Sequence, residues 1–205
     1  MRAVTLAASL IAPPRCALCG AACATRAGTC EGCREQLSRL GPVSAPPVPG
    51  LDATWSAAPY RGSARTLVRG LKFGRMLSLA RMAAQEVAQA PPGLLDGALV
   101  PVPAAPLRGR WRGFDPAEEI ARELARITGR PLEPCLRRSQ GARQVGRSRS
   151  ARLAAPPRVR ARFAAPHAAI LVDDVLTTGA TLTACARALR AGGSRRVVAL
   201  TFARS

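Results

Sequence analysis

The chain of 205 residues carries 31 basic and 12 acidic side chains, a formal charge of +19 at neutral pH, and 48% of its residues are hydrophobic. This composition suits one ordinary domain with a small appendage and excludes a disordered tail. No apolar run approaches the roughly 20 residues that a membrane-spanning helix needs, so the sequence predicts no membrane span.

The basic charge is almost entirely arginine, because Lys72 is the only lysine beside thirty arginines. Two interpretations stay open at this point. The excess charge gives either a general attraction for polyanions or simply a solvated basic surface.

The first predicted element is a short helix within the apolar stretch 3–12. A signal peptide is the alternative, but the stretch runs into Pro13 and Pro14 without a small-residue cleavage site. We therefore expect a cytoplasmic protein.

Two cysteine pairs follow, Cys16 with Cys19 and Cys30 with Cys33, each separated by two residues. Two such knuckles can present four thiolates to one tetrahedral ion, which predicts a structural Zn²⁺ site. A disulfide framework and an iron–sulfur cluster are the alternatives. Cys23 has no partner at this spacing and is left out of the predicted site.

A connector rich in proline and glycine occupies residues 41–50, and connectors of this composition separate modules. We predict two domains on this basis. Residues 1–50 form the N-terminal helix and a zinc-ribbon module with four cysteine ligands, and residues 51–205 form the larger domain.

Patterns typical of strands and helices alternate in the larger domain, which favours an α/β fold with a mostly parallel sheet flanked by helices. Strands are predicted at 53–60, 98–102, 168–172 and 197–202, and helices at 77–90, 115–129 and 181–191. Residues 137–162 are rich in arginine, serine, glycine and proline and are predicted to form a long loop.

The helix at 115–129 has the clearest local signals. Asp115 is placed to cap it, Pro116 occupies its first turn, and Gly129 ends it. Its predicted apolar stripe consists of Ile120, Leu124 and Ile127.

An apolar run ends in two adjacent carboxylates, Asp173 and Asp174, which are the only acidic residues between Pro134 and Ser205. The carboxyl edge of a parallel sheet is where open α/β sheets bind ligands. Carboxylates at this edge suit a divalent metal, a polyol, or both.

A loop of hydroxyl and small residues follows the two aspartates and leads into a helix. Consecutive backbone N–H groups at a helix start bind a phosphate, and the helix dipole assists them. A Walker-type loop is excluded because this loop contains no lysine. The residues predicted to bind phosphate are Thr177, Thr178, Gly179, Ala180 and Thr181. Together with the aspartates, they predict a site for a sugar phosphate and a metal.

The segment ILVDDVLTTGATL resembles the phosphoribosyl-pyrophosphate (PRPP) signature of the type I phosphoribosyltransferases. The order of motifs around it resembles the ComF family, competence-associated phosphoribosyltransferase-like proteins with an N-terminal zinc ribbon. The resemblance covers nearly the whole chain. Its motifs are the cysteine pairs, Tyr60-Arg61-Gly62, Leu71-Lys72-Phe73, Val100-Pro101-Val102-Pro103, Arg112-Gly113-Phe114, Gln144 and the acidic motif.

The resemblance implies a role for each matching residue. Asp173 and Asp174 would hold the ribose hydroxyls, directly or through Mg²⁺ and water, and residues 177–181 would hold the 5-phosphate. Arg110 and Arg112 would lie near the pyrophosphate, and Lys72 would be a further contact. The sequence departs from the family pattern at Asp115-Pro116, where asparagine and glutamine are usual.

Three functions remain open from the sequence. The first is a Mg²⁺-dependent phosphoribosyltransferase with an unidentified acceptor. The second is a catalytically silent PRPP- or nucleotide-sensing protein that acts through partner proteins, with a role in DNA uptake that the resemblance implies. The third is a single-stranded DNA-binding competence factor, which the aromatic content of 3% disfavours because such proteins rely on stacking.

Overall fold

The computed structural model describes residues 15–23, 28–44, 46–74, 76–105, 113–139 and 157–205. The helix predicted within 3–12 lies outside these residues, as do Arg110, Arg112 and Gln144. Among the described residues, no helix combines the length and the apolar character that crossing a bilayer requires.

The described strands form one large sheet and a separate hairpin. The strands are β1 (Val43–Ser44), β2 (Ala53–Pro59), β3 (Ala98–Pro101), β4 (Leu136–Ser139), β5 (Arg158–Ala161), β6 (Ala168–Leu176) and β7 (Arg196–Arg204). The five-stranded sheet has the order β1-β2-β7-β6-β3, and β4 pairs with β5 in the hairpin. Strands β2, β7, β6 and β3 are parallel, and only the short edge strand β1 is antiparallel to its neighbour.

Helices cover both faces of the sheet. They are α1 (Glu31–Ser38), α2 (Gly62–Phe73), α3 (Ser78–Val87), α4 (Pro116–Thr128) and α5 (Ala180–Ala191), with a 3₁₀ turn at Pro92–Leu94. One face packs against α2, α3 and α4, and the other packs against α5 and the β4-β5 hairpin. The predicted α/β class with a mostly parallel sheet flanked by helices is confirmed.

Strand β6 shows why its sequence is a continuous apolar run. Ile170 and Val172 pack into the core on one face, whereas Ala169 and Leu171 pack into the core on the other. A parallel strand covered on both faces needs apolar residues at every position. The strand extends to Leu176, so both aspartates lie within its last residues.

Helix α4 begins and ends as its sequence predicts. The Asp115 side chain accepts a hydrogen bond from the Ala117 N–H, and Gly129 adopts a left-handed conformation with φ 69°. Ile120 and Leu124 are fully buried, but Ile127 is 43% exposed and does not belong to the buried stripe. The prediction for Ile127 is therefore wrong, because the apolar face of this helix is narrower than its spacing suggests.

Residues 137–162 were predicted to form a loop, but the structure has strand β4 at the beginning of this segment and strand β5 near its end. β4 and β5 pair antiparallel, with Arg137 opposite Arg160. Leu136, Val159 and Ala161 face the core, while Arg137 and Arg160 are exposed. The high arginine content concealed this alternation from the sequence analysis.

The cysteine-bearing segment packs onto the larger domain. Leu37 of α1 is only 1% exposed and belongs to the core shared with α2 and α3. The Ser38 hydroxyl donates a hydrogen bond to Glu86 Oε1 at 3.0 Å. The division at residue 50 stays a prediction.

Gly97 allows β3 to start beside β6. Its φ is +154°, and a Cβ placed there would lie 2.6 Å from the Ala168 carbonyl oxygen, well inside contact distance. We expect Gly97→Ala to cost about 2 kcal/mol from backbone strain and this clash, which lowers Tm by about 4–8 °C. Gly93→Ala is the matched control, because a Cβ at Gly93 would have no neighbour within 4 Å. Equal Tm values for the two variants would contradict this explanation.

Candidate functional site

A cleft of about 150 Å³ opens at the carboxyl edge of the sheet, beside the ends of β3 and β6. Helix α4 follows β3 on one face of the sheet, and α5 follows β6 on the other, so the two connections diverge and leave a crevice between them. The charged and hydroxyl side chains that line it are Lys72, Asp115, Arg138, Asp173, Asp174 and Thr181.

The two predicted aspartates both line this cleft. The Asp174 N–H donates a hydrogen bond to Asp173 Oδ1 at 2.8 Å, which fixes the Asp173 carboxylate against its own strand. Burial, and then the negative charge of Asp174, raise the pKa of Asp173 well above its ordinary value. Two carboxylates in one partly desolvated site favour a bound proton or a cation.

Lys72 supplies the positive charge closest to Asp174. Its Nζ lies 2.8 Å from Asp174 Oδ2, and the two side chains are 26% and 8% exposed. That carboxylate oxygen is buried and has no partner in hydrogen-bond geometry within the described residues. The contact is therefore a close ion pair whose angle falls outside hydrogen-bond geometry.

The predicted phosphate-binding loop leads from β6 into α5. Gly179 has a left-handed conformation with φ 76°, and α5 has no side-chain cap among the described residues. A Cβ at Gly179 would lie 3.2 Å from Val48, so the connector before β2 packs directly against this turn. Thr178 Oγ1 accepts a hydrogen bond from the Ala180 N–H at 3.4 Å.

The residues of this loop differ in their relation to the cleft. Thr181 lines the cleft, whereas Thr177 and Thr178 are exposed and are not among its lining residues. The helix start therefore presents its hydroxyl and its positive dipole end beside the aspartates.

Asp115 is a lining residue whose place in the cleft the sequence analysis missed. Its Oδ2 accepts the Ala104 N–H at 2.7 Å and its Oδ1 accepts the Ala117 N–H at 3.0 Å, so it ties the loop after β3 to the start of α4. Burial raises the pKa of Asp115; the two N–H donors oppose this shift, and the charge of Asp174 adds to it. Its helix-capping signal was visible, but capping alone did not reveal a third carboxylate in the cleft.

Arg138 is the second missed residue. It lies on β4 inside the segment predicted as a loop, and it lines the cleft. Nothing in its local sequence separates it from Arg137, which is exposed. Only the pairing of β4 with β5 turns Arg138 inward.

The four predicted cysteine ligands lie together. The sulfur atoms of Cys16, Cys19, Cys30 and Cys33 are all within 4.8 Å of one another. Zn–S bonds of about 2.3 Å in a tetrahedron place sulfur atoms about 3.8 Å apart, and the Cys19 and Cys30 sulfurs are 3.8 Å apart. The cluster therefore fits a structural zinc ion, and Cys23 is not part of it.

Backbone donors favour a thiolate at Cys16. The N–H groups of Leu18 and Cys30 each donate to its sulfur at 3.4 Å. Burial raises the pKa of Cys16, but the N–H donors outweigh burial and lower it to about 6. Deprotonated sulfur is the form that binds metal.

No protein-family model matches this chain, and no curated protein matches it either. The ComF resemblance and the roles it implies therefore stay predictions. The geometry establishes an acidic cleft with cationic and hydroxyl side chains at the carboxyl edge of the sheet, and a separate cluster of four cysteines.

We expect freshly purified protein to contain about one equivalent of zinc, held by the four thiolates. Cys19→Ser removes one ligand and should lower zinc below about half an equivalent, because an incomplete tetrahedral site binds zinc weakly. Metal analysis by mass spectrometry measures both. Cys23→Ala is the matched control and should keep its zinc; loss of zinc from both variants would mean that the four-cysteine set is wrong.

The pKa of Asp173 predicts a pH-dependent stability effect. The folded chain holds this proton more tightly than the unfolded chain, so ionisation of Asp173 destabilises the fold increasingly as pH rises above the ordinary value of 3.8. Asp173→Asn should therefore raise Tm relative to the wild type, and by more at pH 8 than at pH 4. Thermal melts at the two pH values measure this difference.

Asp52 is the control, because its pKa is shifted in the opposite direction from that of Asp173. The Val197 N–H, and secondarily Arg190, lower the pKa of Asp52, so its contribution to stability is present at neutral pH and is lost as pH falls. Asp52→Asn should lower Tm at pH 8 and by less at low pH. The same sign of pH dependence for both variants would contradict this electrostatic explanation.

Proposed function

We propose that this protein binds PRPP together with Mg²⁺ in the cleft at the carboxyl edge of the sheet, and that it is a phosphoribosyltransferase-like protein of the ComF type. One observation carries the proposal. The cleft brings the carboxylates of Asp173 and Asp174 to the start of α5, with the cations Lys72 and Arg138 on its walls. Carboxylates suit ribose hydroxyls and a metal, whereas a helix start and cations suit phosphates.

The donors in the cleft fit Mg²⁺. This ion prefers oxygen ligands and is usually held by one or two carboxylates together with substrate phosphates. Asp174 Oδ2 is buried and lies 2.8 Å from the Lys72 ammonium group, so this oxygen is already placed to contact a cation. Asp173 and Asp174 would hold the ion, which when bound supplies positive charge that stabilises a departing pyrophosphate.

The chain's own residues would supply charges for the bond that breaks in phosphoribosyl transfer. Breaking the bond between ribose C1 and pyrophosphate develops positive charge on the sugar and negative charge on the leaving group. Lys72 and Arg138 line the cleft and would stabilise the anionic leaving group, and Asp173 and Asp174 would hold the ribose hydroxyls or the metal. His167, the only histidine, precedes β6 and therefore lies at the opposite edge of the sheet, so it cannot act as a base in this cleft.

A binding protein without transfer activity is the second candidate, and the contacts of Asp115 favour it. Both of its carboxylate oxygens accept backbone N–H groups, from Ala104 and Ala117. Asp115 also stands where the resemblance leads us to expect a different residue, in the part of the chain that would recognise an acceptor. In this case the protein would sense PRPP or a nucleotide and act through partner proteins.

The four-cysteine cluster would hold a structural Zn²⁺ in either case. A site with four protein ligands has no open position for activating water. Because thiols stay reduced in the cytosol, a site of four cysteine ligands also suits a cytoplasmic location.

We expect calorimetry to detect PRPP binding in the presence of Mg²⁺, with the affinity lowered at least about tenfold, or about 1.4 kcal/mol, in the Asp173→Asn/Asp174→Asn double variant. Asp96→Asn is the matched control, since Asp96 is an exposed aspartate paired with Arg130 outside the cleft. Unchanged affinity in the double variant would refute the proposed site.

Pyrophosphate release separates the two candidate functions. The wild-type protein is mixed with PRPP, Mg²⁺ and a panel of bases and amines. Release that depends on one acceptor supports transfer, whereas tight binding without release supports the sensing role.

A further inference from the structure

The ion pair between Lys72 and Asp174 sits where a ligand would bind. Lys72 Nζ lies 2.8 Å from Asp174 Oδ2, and the Asp174 side chain is only 8% exposed. Removing both charges from water carries a desolvation cost that the attraction between them must offset. Within the described part of the chain, no hydrogen bond to Oδ2 adds to this ion pair.

The same oxygen has two competing uses. A divalent cation that binds at Asp174 Oδ2 competes with the ammonium group there, because two cations beside one oxygen repel each other. Asp173 Oδ1 is already engaged, since it accepts the Asp174 N–H. In the ligand-free chain, the Lys72 ammonium group therefore occupies the position beside Asp174 Oδ2 that a metal ion would take.

Lys72 has the freedom to change partners. It lies in the last turn of α2, and 26% of its side chain is exposed. A lysine is a point charge on a flexible four-carbon stem, whereas arginine is a rigid planar fork. A phosphate oxygen in the cleft would offer the ammonium group a second anionic partner within reach of its stem.

We propose that Lys72 is an exchangeable counter-ion that makes the cleft selective for a metal-chelated phosphate compound over either component alone. Phosphate draws the ammonium group from Asp174, and the released carboxylate then binds the divalent cation. This inference rests on the proposed function, because it assumes that the cleft takes a phosphate and a metal together. By thermodynamic linkage, phosphate and metal must each raise the affinity for the other by the same factor.

The alternative is a permanent salt bridge that only stabilises the fold. Removing one partner of such a pair leaves a buried uncompensated carboxylate, which lowers stability and attracts any cation, so a gain in metal affinity alone fits both roles. The exchange role differs in one measurable respect: phosphate strengthens metal binding in the wild type, and this gain shrinks when Lys72 is removed. The phosphate dependence of metal affinity therefore distinguishes the two roles.

The test uses the full-length protein and Mn²⁺ as the probe, with free Mn²⁺ measured by electron paramagnetic resonance. In Lys72→Met we expect Mn²⁺ alone to bind at least about 5-fold more tightly than in the wild type, within the usual range of coupling between sites. Added inorganic phosphate should strengthen Mn²⁺ binding in the wild type by a similar factor and by less in Lys72→Met. Equal or weaker Mn²⁺ binding by Lys72→Met, or the same phosphate-dependent gain in both proteins, would overturn the proposal.

Lys72→Arg and Asp174→Asn are the control variants. Lys72→Arg keeps a cation beside Asp174 and should bind Mn²⁺ no more tightly than the wild type. Asp174→Asn removes the shared carboxylate and should abolish the gain, also when combined with Lys72→Met. Tight Mn²⁺ binding by the combined variant would overturn the proposal, because the gain would not come from Asp174.

A folding defect in Lys72→Met does not block the test. Thermal melts show whether the variant is folded, and the exchange role predicts that Mn²⁺ raises its Tm by more than that of the wild type. Lys72→Gln provides a second variant that removes the charge while keeping a polar group. No Mn²⁺-dependent gain in Tm for either variant would overturn the proposal.

The experiments can refute the role of Lys72 and the binding of PRPP independently of each other. Mn²⁺ exchange without PRPP binding would support the role of Lys72 and refute PRPP as the ligand. PRPP binding with wild-type Mn²⁺ affinity in Lys72→Met would support the ligand and refute the exchange role.

Discussion

The placement of two adjacent carboxylates at the end of a central strand is the constraint on which the site depends. Asp173 and Asp174 are carried by β6, which lies between β7 and β3 with apolar layers on both faces. Charges in such a position need partners, because burial strongly disfavours an isolated ion. Lys72 approaches Asp174, and a backbone N–H donates to Asp173. These contacts leave the pair only partly neutralised, and a partly neutralised acidic site is suited to a cationic ligand.

Segments that are distant in sequence pack against the domain that carries the two aspartates. The connector before β2 contacts the turn at Gly179 through Val48, and Leu37 of the cysteine-bearing segment lies in the main core. A structural metal at the cysteines would therefore stabilise a segment that packs against the domain carrying the cleft. Asp115 also connects two segments, because its carboxylate accepts one N–H from the loop after β3 and one from the start of α4.

The elements that could be predicted are those whose signals are local. Helix α4 has a capping aspartate, a first-turn proline and a closing glycine, and it occupies the predicted residues. Helix α2 was missed although Leu67, Val68 and Leu71 have helical spacing. Its interior Gly70 argues against a helix by propensity, but a Cβ there would lie 2.7 Å from Leu79 Cδ1, so the glycine allows α3 to pack closely at this position.

The sequence by itself determined the α/β class, the buried strand that leads into two aspartates, and the cysteine spacing that brings four sulfurs within 4.8 Å. Each depends on periodicity or on spacing within a short segment. Only the tertiary structure decided that Lys72 reaches Asp174 across 102 positions of sequence (174 − 72) and that Arg138 faces the cleft while Arg137 does not. These contacts depend on how helices and strands pack. Residues so far apart in the sequence leave no local sequence pattern that shows they are in contact.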